Sequence, residues 1–188
     1  MLRGKARDIQ GLEMNPLGPL NGKSFGTSIS PWIITLDALA PFKAPSPQRD
    51  PDVKIAEYLQ DSDANSSYDF KLSASLQPKD APEASVICET QFSSLYWTLR
   101  DLIAHQTSNG CNINTGDLIA TGTISGNTRD SRGCLLELAK TGGVEVKGAN
   151  GEMEKRVFLE DGDVVILSAS AGKGVGFGEC VGRVLAAN

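Results

Sequence analysis

The sequence has only one histidine, His105, in 188 residues. It follows the apolar stripe of a predicted helix and precedes an Asn-Gly turn, a position typical of a helix end. A histidine-based triad needs an available histidine as its base, so these residues do not support one. The four cysteines form no CxxC pair. Their wide spacing indicates free thiols rather than a zinc site or a disulfide framework, and it predicts a cytoplasmic location.

An excess of positive charge is also missing. The formal net charge is −5 at pH 7, and Lys and Arg are scattered, which argues against a nucleic-acid binder. No apolar run approaches the ~20 residues that span a bilayer, and the first ten residues lack the apolar core of a secretory signal. With 40% hydrophobic residues, the composition predicts one globular domain over residues 1–188. We expect neither nucleic acid nor a membrane as a partner.

Most of the chain after residue 68 has a β pattern. Apolar residues alternate with polar ones over 69–77, which predicts a strand with one wet face. Residues 90–107 change to spacings of three and four, which predicts the one main helix, with Thr90 as its cap. Turn signals separate further β-branched runs, which predict strands at 118–124, 134–139, 144–146, 156–159, 163–169 and 178–185. Alternating glycines over 171–178 indicate a bulged or tightly packed strand. Together these patterns predict a β-rich α+β fold of the sandwich or roll type.

The N-terminal quarter has weaker signals. Residues 1–30 are rich in Gly, Pro and Ser, which predicts ordered loop with short strands. The apolar run 33–39 fits either a buried strand or a turn of helix. The proline-rich stretch 41–52 predicts irregular surface chain, because proline lacks an N–H and restricts the residue before it.

Three strong hydrogen-bond donors stand at the two edges of the loop PLGPLNG. Arg7 and Gln10 precede it, and a guanidinium close to a carboxamide can hold a carboxylate or a developing oxyanion. The alternative is a surface turn in which Arg7 pairs with Asp8. Lys23 follows the loop between glycines, where the backbone can approach a ligand closely. The alternative there is an ordinary glycine turn. It is not a phosphate-binding Walker loop, because Leu17 stands where that motif needs glycine.

Two further patterns carry polar groups. Thr121, Thr123 and Ser125 alternate along a predicted strand, so their hydroxyls would share one face and either bind a carboxylate or remain solvated. Glu137 lies between leucines in a strand predicted to be buried, where a carboxylate needs a partner and often marks a functional site. Alternation that turns Glu137 outward is the other interpretation.

Several runs together resemble the fumarylacetoacetase family: ARDIQ (6–10), PLGPLNGKSFGTSISPW (16–32), YWT (96–98), NGCN (109–112), GDLIATGTISG (116–126), LLEL (135–138) and GFGECVGRVL (176–185). The resemblance covers nearly the whole chain and corresponds to the C-terminal part of that family's catalytic domain. It implies a mixed β-sandwich roll, here expected to be an incomplete domain truncated on its N-terminal side.

The family uses water to cleave a carbon–carbon bond of fumarylacetoacetate, giving fumarate and acetoacetate in tyrosine and phenylalanine catabolism. The resemblance implies that Arg7, Gln10 and Lys23 stabilise the oxyanion and the carbanionic leaving group, with Gln10 also contacting the substrate. It implies that Thr123 binds a substrate carboxylate. It further implies that Glu137 orients a histidine that activates the water. The implied partners are a small diketo acid and a second copy of the chain in a homodimer.

The resemblance also places Lys23 and Thr27 at the edge of a site for Mg²⁺ or Ca²⁺, which would polarise the diketone. Arg3 stands where the family has a metal-binding aspartate, and the family's other metal carboxylates and catalytic histidine lie upstream. We therefore expect part of the pocket, and negligible turnover by these 188 residues alone. Two alternatives stay open: an acylpyruvate hydrolase, decarboxylase or isomerase of the same superfamily, and a non-catalytic fragment that acts by self-association.

Overall fold

The computed structural model describes residues 2–4 and 6–187. Within these ranges the helices are Arg7–Glu13 (α1), Leu36–Leu39 (α2), Leu99–Thr107 (α3) and Leu135–Ala139 (α4). The strands are Leu2–Gly4 (β1), Gly26–Ser28 (β2), Lys43–Ala44 (β3), Ser67–Tyr68 (β4), Lys71–Gln77 (β5), Ser85–Gln91 (β6), Val144–Lys147 (β7), Met153–Arg156 (β8), Val164–Ala171 (β9) and Val175–Arg183 (β10). In the described part of the chain, no helix has the length and apolar character needed to cross a membrane.

One antiparallel sheet, in the order β10-β9-β5-β6, organises the fold, and β1–β2, β3–β4 and β7–β8 form smaller pairs. Side chains on β5 alternate between the two faces of this sheet. Leu76 is fully buried on one face. On the other face, Ser73 stands opposite Glu89 of β6 and Ser168 of β9. The four-stranded sheet therefore has one core face and one polar face.

Two apolar clusters fill the core face. The first holds α4 and β7 against the sheet through Leu76, Leu138, Val144, Val146 and Val165. The second contains Leu39, Phe70, Phe92 and Ala171, and the rings of Phe70 and Phe92 stack with their centroids 4.4 Å apart. Burial of a side chain such as Leu138 contributes about 1.5–3 kcal/mol, so the core fixes the orientation of the short helix α4.

The N-terminal segment is held against strand β10. The β9–β10 register shifts between Gly176 and Glu179, which confirms the bulge that the alternating glycines predict. Gly178 has a φ of +67°, and a Cβ at this position would lie 2.6 Å from Cδ1 of Trp32. The thiol of Cys180 also approaches the carbonyl oxygen of Ser28, at 3.6 Å. These contacts place residues 28–32 next to the central sheet.

The proline-rich stretch is anchored on helix α3. Nη2 of Arg49 lies 2.5 Å from Oδ2 of Asp101, which is only 3% exposed. The same carboxylate oxygen accepts from the backbone N–H of Thr98, in the capping box that begins α3. The guanidinium also lies 4.9 Å from the ring centroid of Trp97, within range of a cation–π interaction. A stretch with little regular structure is thus tied to the helix by one buried ion pair.

The structure confirms a β-rich α+β fold with α3 as its longest helix in the described residues. The predicted strands at 69–77, 144–146, 163–169 and 178–185 correspond to β5, β7, β9 and β10. The stretch 33–39 contains a helical turn, α2, and not a buried strand, since Ile33 is 89% exposed.

Other predictions are wrong. The main helix begins at Leu99 with Thr98 as its cap, whereas Thr90 lies in β6, because residues 85–91 pair with β5. Of residues 134–139, Leu135–Ala139 form helix α4. Residues 118–124 contain no strand, and 156–159 overlap β8 only at Arg156. The short strands predicted within residues 1–30 are present as β1 and β2, but helix α1 lies between them. Short apolar runs fit a helix and a strand equally well, and tertiary packing decides between them.

Candidate functional site

Arg7 and Gln10 form a close pair on helix α1. They are three residues apart and so share one face of the helix. Nη1 of Arg7 donates to Oε1 of Gln10 at 2.5 Å. Gln10 is only 7% exposed, and Arg7 is half-buried. The pair of donors predicted from the sequence is therefore present, and the alternative in which Arg7 pairs with Asp8 is not observed.

The contact with Arg7 determines which way the Gln10 amide points. A guanidinium has only donors, so the amide atom that faces it must be the oxygen. The amide nitrogen Nε2 is then turned away from Arg7. Its one acceptor in the described residues is Sδ of Met14 at 3.8 Å, and a thioether is a weak acceptor. Nε2 is thus a nearly unused donor that a stronger acceptor can engage.

Lys23 lies in a 3-10 turn, Asn21–Lys23, which packs directly on α1. The backbone N–H of Ala6 donates to the carbonyl oxygen of Gly22 at 2.8 Å. A Cβ on Gly22 would lie 2.6 Å from the backbone nitrogen of Gln10, so only glycine allows this approach. We call this turn the Lys23 turn. Its residue Gly22 contacts Gln10, and Lys23 follows Gly22 in the chain.

The Lys23 side chain is not committed to another group. It is half-buried, and within the described ranges it forms no side-chain hydrogen bond and no ion pair. The carboxylate of Glu13, at the end of α1, accepts from backbone N–H groups of the loop instead. The ammonium group of Lys23 thus remains available to an anionic ligand.

Arg7 also connects α1 with the start of helix α4. Its Nη2 lies 3.7 Å from Sγ of Cys134, the residue that precedes α4. Thr123 also lies next to this segment. If Gly133 carried a Cβ, that atom would lie 3.1 Å from Cγ2 of Thr123. Thr123 is exposed. Arg7 and Thr123 therefore both lie next to residues 133–134, and Gln10 is linked to this segment through its contact with Arg7.

The prediction that Glu137 lies in a buried strand is wrong. Glu137 is on helix α4, and its side chain is 36% exposed. On this helix Leu138 points into the core and the adjacent Glu137 faces outward. Oε1 of Glu137 accepts from the hydroxyl of Ser125 at 2.9 Å, and Oε2 lies 3.9 Å from Nη1 of Arg132. The carboxylate does have partners, as predicted, but at the surface.

The negative charge of Glu137 affects the pKa of a buried thiol, that of Cys88. Burial raises the pKa of the Cys88 thiol above its ordinary value, and the nearby carboxylates of Glu137 and Glu89 raise it further. The folded chain therefore keeps this thiol neutral. Cys88 is a core residue and not a nucleophile of the site.

A cavity of about 610 Å³ lies beside Glu137. It is lined by Arg129, Arg132, Leu136, Glu137, Leu138, Lys140 and Thr141. Three of these side chains are cationic, although Arg129 also donates to the carbonyl oxygen of Gly143 at 2.7 Å. Arg7 contacts Cys134, three residues before Glu137, so the donor pair is near this cavity without lining it.

The residues predicted at a metal site do not fit a divalent cation. Thr27 is exposed on β2, opposite Arg3 of β1, and a lysine ammonium has no lone pair to donate. Mg²⁺ and Ca²⁺ need several oxygen ligands. Glu13, whose carboxylate contacts the loop just before Lys23, already accepts from three N–H groups. In the part of the chain that the structure describes, no three His, Cys, Asp or Glu side chains are grouped to hold an ion.

His105 lies in the last turn of α3 and is exposed, as the sequence predicts. Sequence reasoning missed three contacts of the site: those made by Glu13, Cys134 and Arg132. The spacing of Arg7, Gln10 and Glu13 follows one helix face, and this signal is visible once α1 is recognised. Cys134 lies 127 positions from Arg7, and no local pattern indicates that contact.

Comparisons with known proteins agree with the resemblance. The family model described as "Fumarylacetoacetate (FAA) hydrolase C-terminal" matches residues 4–185. Fumarylacetoacetase of Oryza sativa subsp. japonica is 48% identical over 185 residues, covering 97% of this chain and 42% of that protein. The Arabidopsis thaliana protein is 48% identical over 183 residues, with 96% and 42% covered, and the Bos taurus protein is 45% identical over 185 residues, with 97% and 43% covered.

The chain thus spans about two-fifths of the length of these curated relatives. The match reaches almost every residue described above, including α1, the Lys23 turn and α4. On this similarity, the chain belongs to the fumarylacetoacetate hydrolase family, whose C-terminal region it matches.

Proposed function

We propose that this domain provides the anion-stabilising part of a fumarylacetoacetate hydrolase centre. In this proposal Arg7, Gln10 and Lys23 bind a diketo acid and the negative charge that develops as its carbon–carbon bond breaks. The contact between Arg7 and Gln10 carries the proposal, because it turns Nε2 of the amide away from Arg7 and leaves it, in the described residues, only the weak thioether acceptor of Met14. Donors that are oriented before the reaction stabilise developing charge without a reorganisation cost.

The relatives are named fumarylacetoacetase, and the proposed reaction is the one that the resemblance implies, cleavage of fumarylacetoacetate to fumarate and acetoacetate. A basic group oriented by Glu137 takes a proton from water as the water oxygen adds to a carbonyl carbon, which leaves an oxyanion, for which Nε2 of Gln10 and the Arg7 guanidinium are the donors. The carbon–carbon bond then breaks, and its electron pair becomes the enolate of acetoacetate. The ammonium of Lys23 supports that enolate oxygen, and a proton completes the product. No step is assigned to a metal, since the described residues do not fit one.

Thr123 and Glu137 have supporting parts in the proposal. The hydroxyl of Thr123 makes no hydrogen bond within the described ranges and is exposed, so it can bind a substrate carboxylate. Glu137 is held by Ser125 and can orient a basic group that activates the water. In the described part of the chain, the His105 side chain forms no hydrogen bond with either residue. We therefore expect the 188-residue polypeptide to bind ligand and to turn over poorly.

Binding of the product fumarate, followed by calorimetry, tests the proposal without requiring turnover. We expect Arg7→Ala and Lys23→Ala to weaken fumarate binding at least about tenfold, in line with the loss of a charge-assisted hydrogen bond. Arg183→Ala and Lys54→Ala are matched controls, because both cations are exposed and unpaired within the described residues. Equal affinities in all four variants would contradict the proposal.

An absorbance assay of fumarylacetoacetate hydrolysis is the companion measurement. We expect no turnover above background from the 188-residue polypeptide, with or without Mg²⁺ or Ca²⁺. Robust turnover that survives Lys23→Ala would show that the reaction uses another centre. A comparison with acylpyruvates under the same conditions separates the two substrate classes.

We also propose that the chain forms a homodimer in a reducing compartment such as the cytoplasm. Large apolar side chains between residues 12 and 36 support the assembly: Leu12, Leu17 and Ile33 are each more than 80% exposed. Monomers rarely leave many such groups uncovered. Four free thiols support the location. A clean monomer in light scattering, without binding of an apolar dye, would contradict the dimer.

A further inference from the structure

Glu13 makes an unusual set of contacts for a surface carboxylate. Its Oε2 accepts from the backbone N–H of Leu20 at 2.9 Å and from that of Gly22 at 3.0 Å. Its Oε1 accepts from the N–H of Asn21 at 3.0 Å. Three successive amides of the loop thus converge on one carboxylate, in an arrangement typical of an anion-binding nest.

These contacts join the two elements that carry the donors. Glu13 is the last residue of α1, which also carries Arg7 and Gln10. The amides belong to the start of the Lys23 turn, where N–H groups have no partner within the turn itself. Hydrogen bonds to an ionised acceptor are shorter and stronger than neutral ones. The carboxylate therefore fastens the turn to the helix at the point where Gly22 packs on Gln10.

We propose that Glu13 is a positioning residue for the donor site. By holding the Lys23 turn against α1, it keeps Gly22 packed on Gln10 and so fixes the backbone from which Lys23 extends. It acts through the backbone, since it forms no ion pair with Lys23 within the described residues. The link to catalysis depends on the proposed function, but the fixing of the turn does not.

The position of the turn is measured directly by NMR. Gly22 approaches the backbone nitrogen of Gln10 so closely that we expect a strong nuclear Overhauser effect between a Gly22 Hα and the Gln10 amide proton. We expect Glu13→Ala to abolish this effect and to speed amide exchange at residues 20–22 by about tenfold or more. Glu57→Ala is the matched control, because Glu57 is exposed and its carboxylate has no partner in the described ranges.

A small carboxylate should restore what Glu13→Ala removes. Formate offers the same acceptor group, and the three amides form the site for it once the side chain is gone. We expect formate to restore both the Overhauser effect and fumarate affinity, whereas chloride at equal ionic strength does not. Glu13→Gln keeps one acceptor oxygen and no charge, so its fumarate affinity should fall only a few-fold.

The outcomes separate the two proposals. An intact Overhauser effect and parent-like exchange in Glu13→Ala would overturn the positioning role, as would equal rescue by chloride. If the parent chain does not bind fumarate, the proposed function fails, while the Overhauser effect and exchange still decide the role of Glu13. If Glu13→Ala does not fold, Glu13→Gln decides it: unchanged exchange at residues 20–22 would overturn the proposal.

Discussion

Replacing Gly22 with alanine inserts one methyl group between the two elements that carry the donors. A Cβ at this position would lie 2.6 Å from the backbone nitrogen of Gln10, 2.9 Å from its Cα and 3.0 Å from the carbonyl oxygen of Ala6. All three are backbone atoms, so no side-chain rotation relieves the contact. The turn and the helix must separate by about 1 Å to reach an ordinary contact distance of roughly 3.5 Å.

The cost has two parts. The separation breaks the 2.8 Å hydrogen bond from Ala6 to Gly22, which costs about 1 kcal/mol. Overpacking adds about 1–3 kcal/mol. We therefore expect the free energy of unfolding to fall by about 2–4 kcal/mol, with Tm lower by about 2–4 °C for each kcal/mol in a chain of this size. A displacement of about 1 Å should also weaken fumarate binding by about tenfold or more.

Urea denaturation followed by tryptophan fluorescence measures the stability change, and calorimetry measures the affinity. Gly11→Ala is the matched control, because Gly11 lies on the same helix and a Cβ there has no atom within 4 Å. Alanine also favours the helix, so the control should gain up to about 1 kcal/mol. If Gly22→Ala is as stable as Gly11→Ala and binds fumarate like the parent, the close packing of the turn on α1 is wrong.

Three further predictions concern stability. Asp101→Ala leaves Arg49 without its buried partner, so the free energy of unfolding measured in urea should fall by about 3–5 kcal/mol. Asp161 is exposed and serves as the control: the free energy of unfolding of Asp161→Ala should stay within about 0.5 kcal/mol of the parent value. Burial raises the pKa of the Cys88 thiol above 9.0, so at alkaline pH the folded state keeps a proton that the unfolded state releases. The free energy of unfolding should therefore fall as the pH rises above this value. In urea titrations at alkaline pH, Cys88→Ala should make the free energy of unfolding depend less on pH. Hydrogen bonds from the Asn65 backbone and from Lys43 lower the pKa of Asp63 below 3.8. The ionised carboxylate therefore stabilises the fold at neutral pH, and this stabilisation is lost as the pH falls through the lowered pKa of the folded state. Asp63→Asn should make the free energy of unfolding depend less on pH on the acid side.

The sequence predicts the fold best where the alternation of apolar residues is long. Strand β5 is clear because buried Phe70 and Leu76 frame a regular alternation. The glycines before Cys180 correctly indicate a bulge, since Gly178 needs a positive φ. The local pattern predicts a strand where helix α4 lies, because five residues with leucines on both sides of Glu137 fit a strand as well as a helix. Its helical form depends on Leu138 packing in the core, which local sequence does not show.

In the site too, local sequence predicts contacts between neighbouring residues and does not predict contacts between distant segments. Arg7 and Gln10 are predicted by chemistry and spacing, and the structure brings them together. The contact of Arg7 with Cys134 depends on how distant segments fold onto each other. Glu13 was missed because a glutamate beside a proline-glycine loop resembles ordinary solvated charge, and only the positions of three backbone amides reveal its role.

The decisive experiment follows the side-chain NMR resonances of Arg7, Gln10 and Lys23 during a titration with fumarate. We expect the resonances of Nε2 of Gln10, the guanidinium of Arg7 and Nζ of Lys23 to shift together and to saturate with a single Kd. Shifts confined to Arg132 and Lys140, in the cationic cavity beside Glu137, would contradict it.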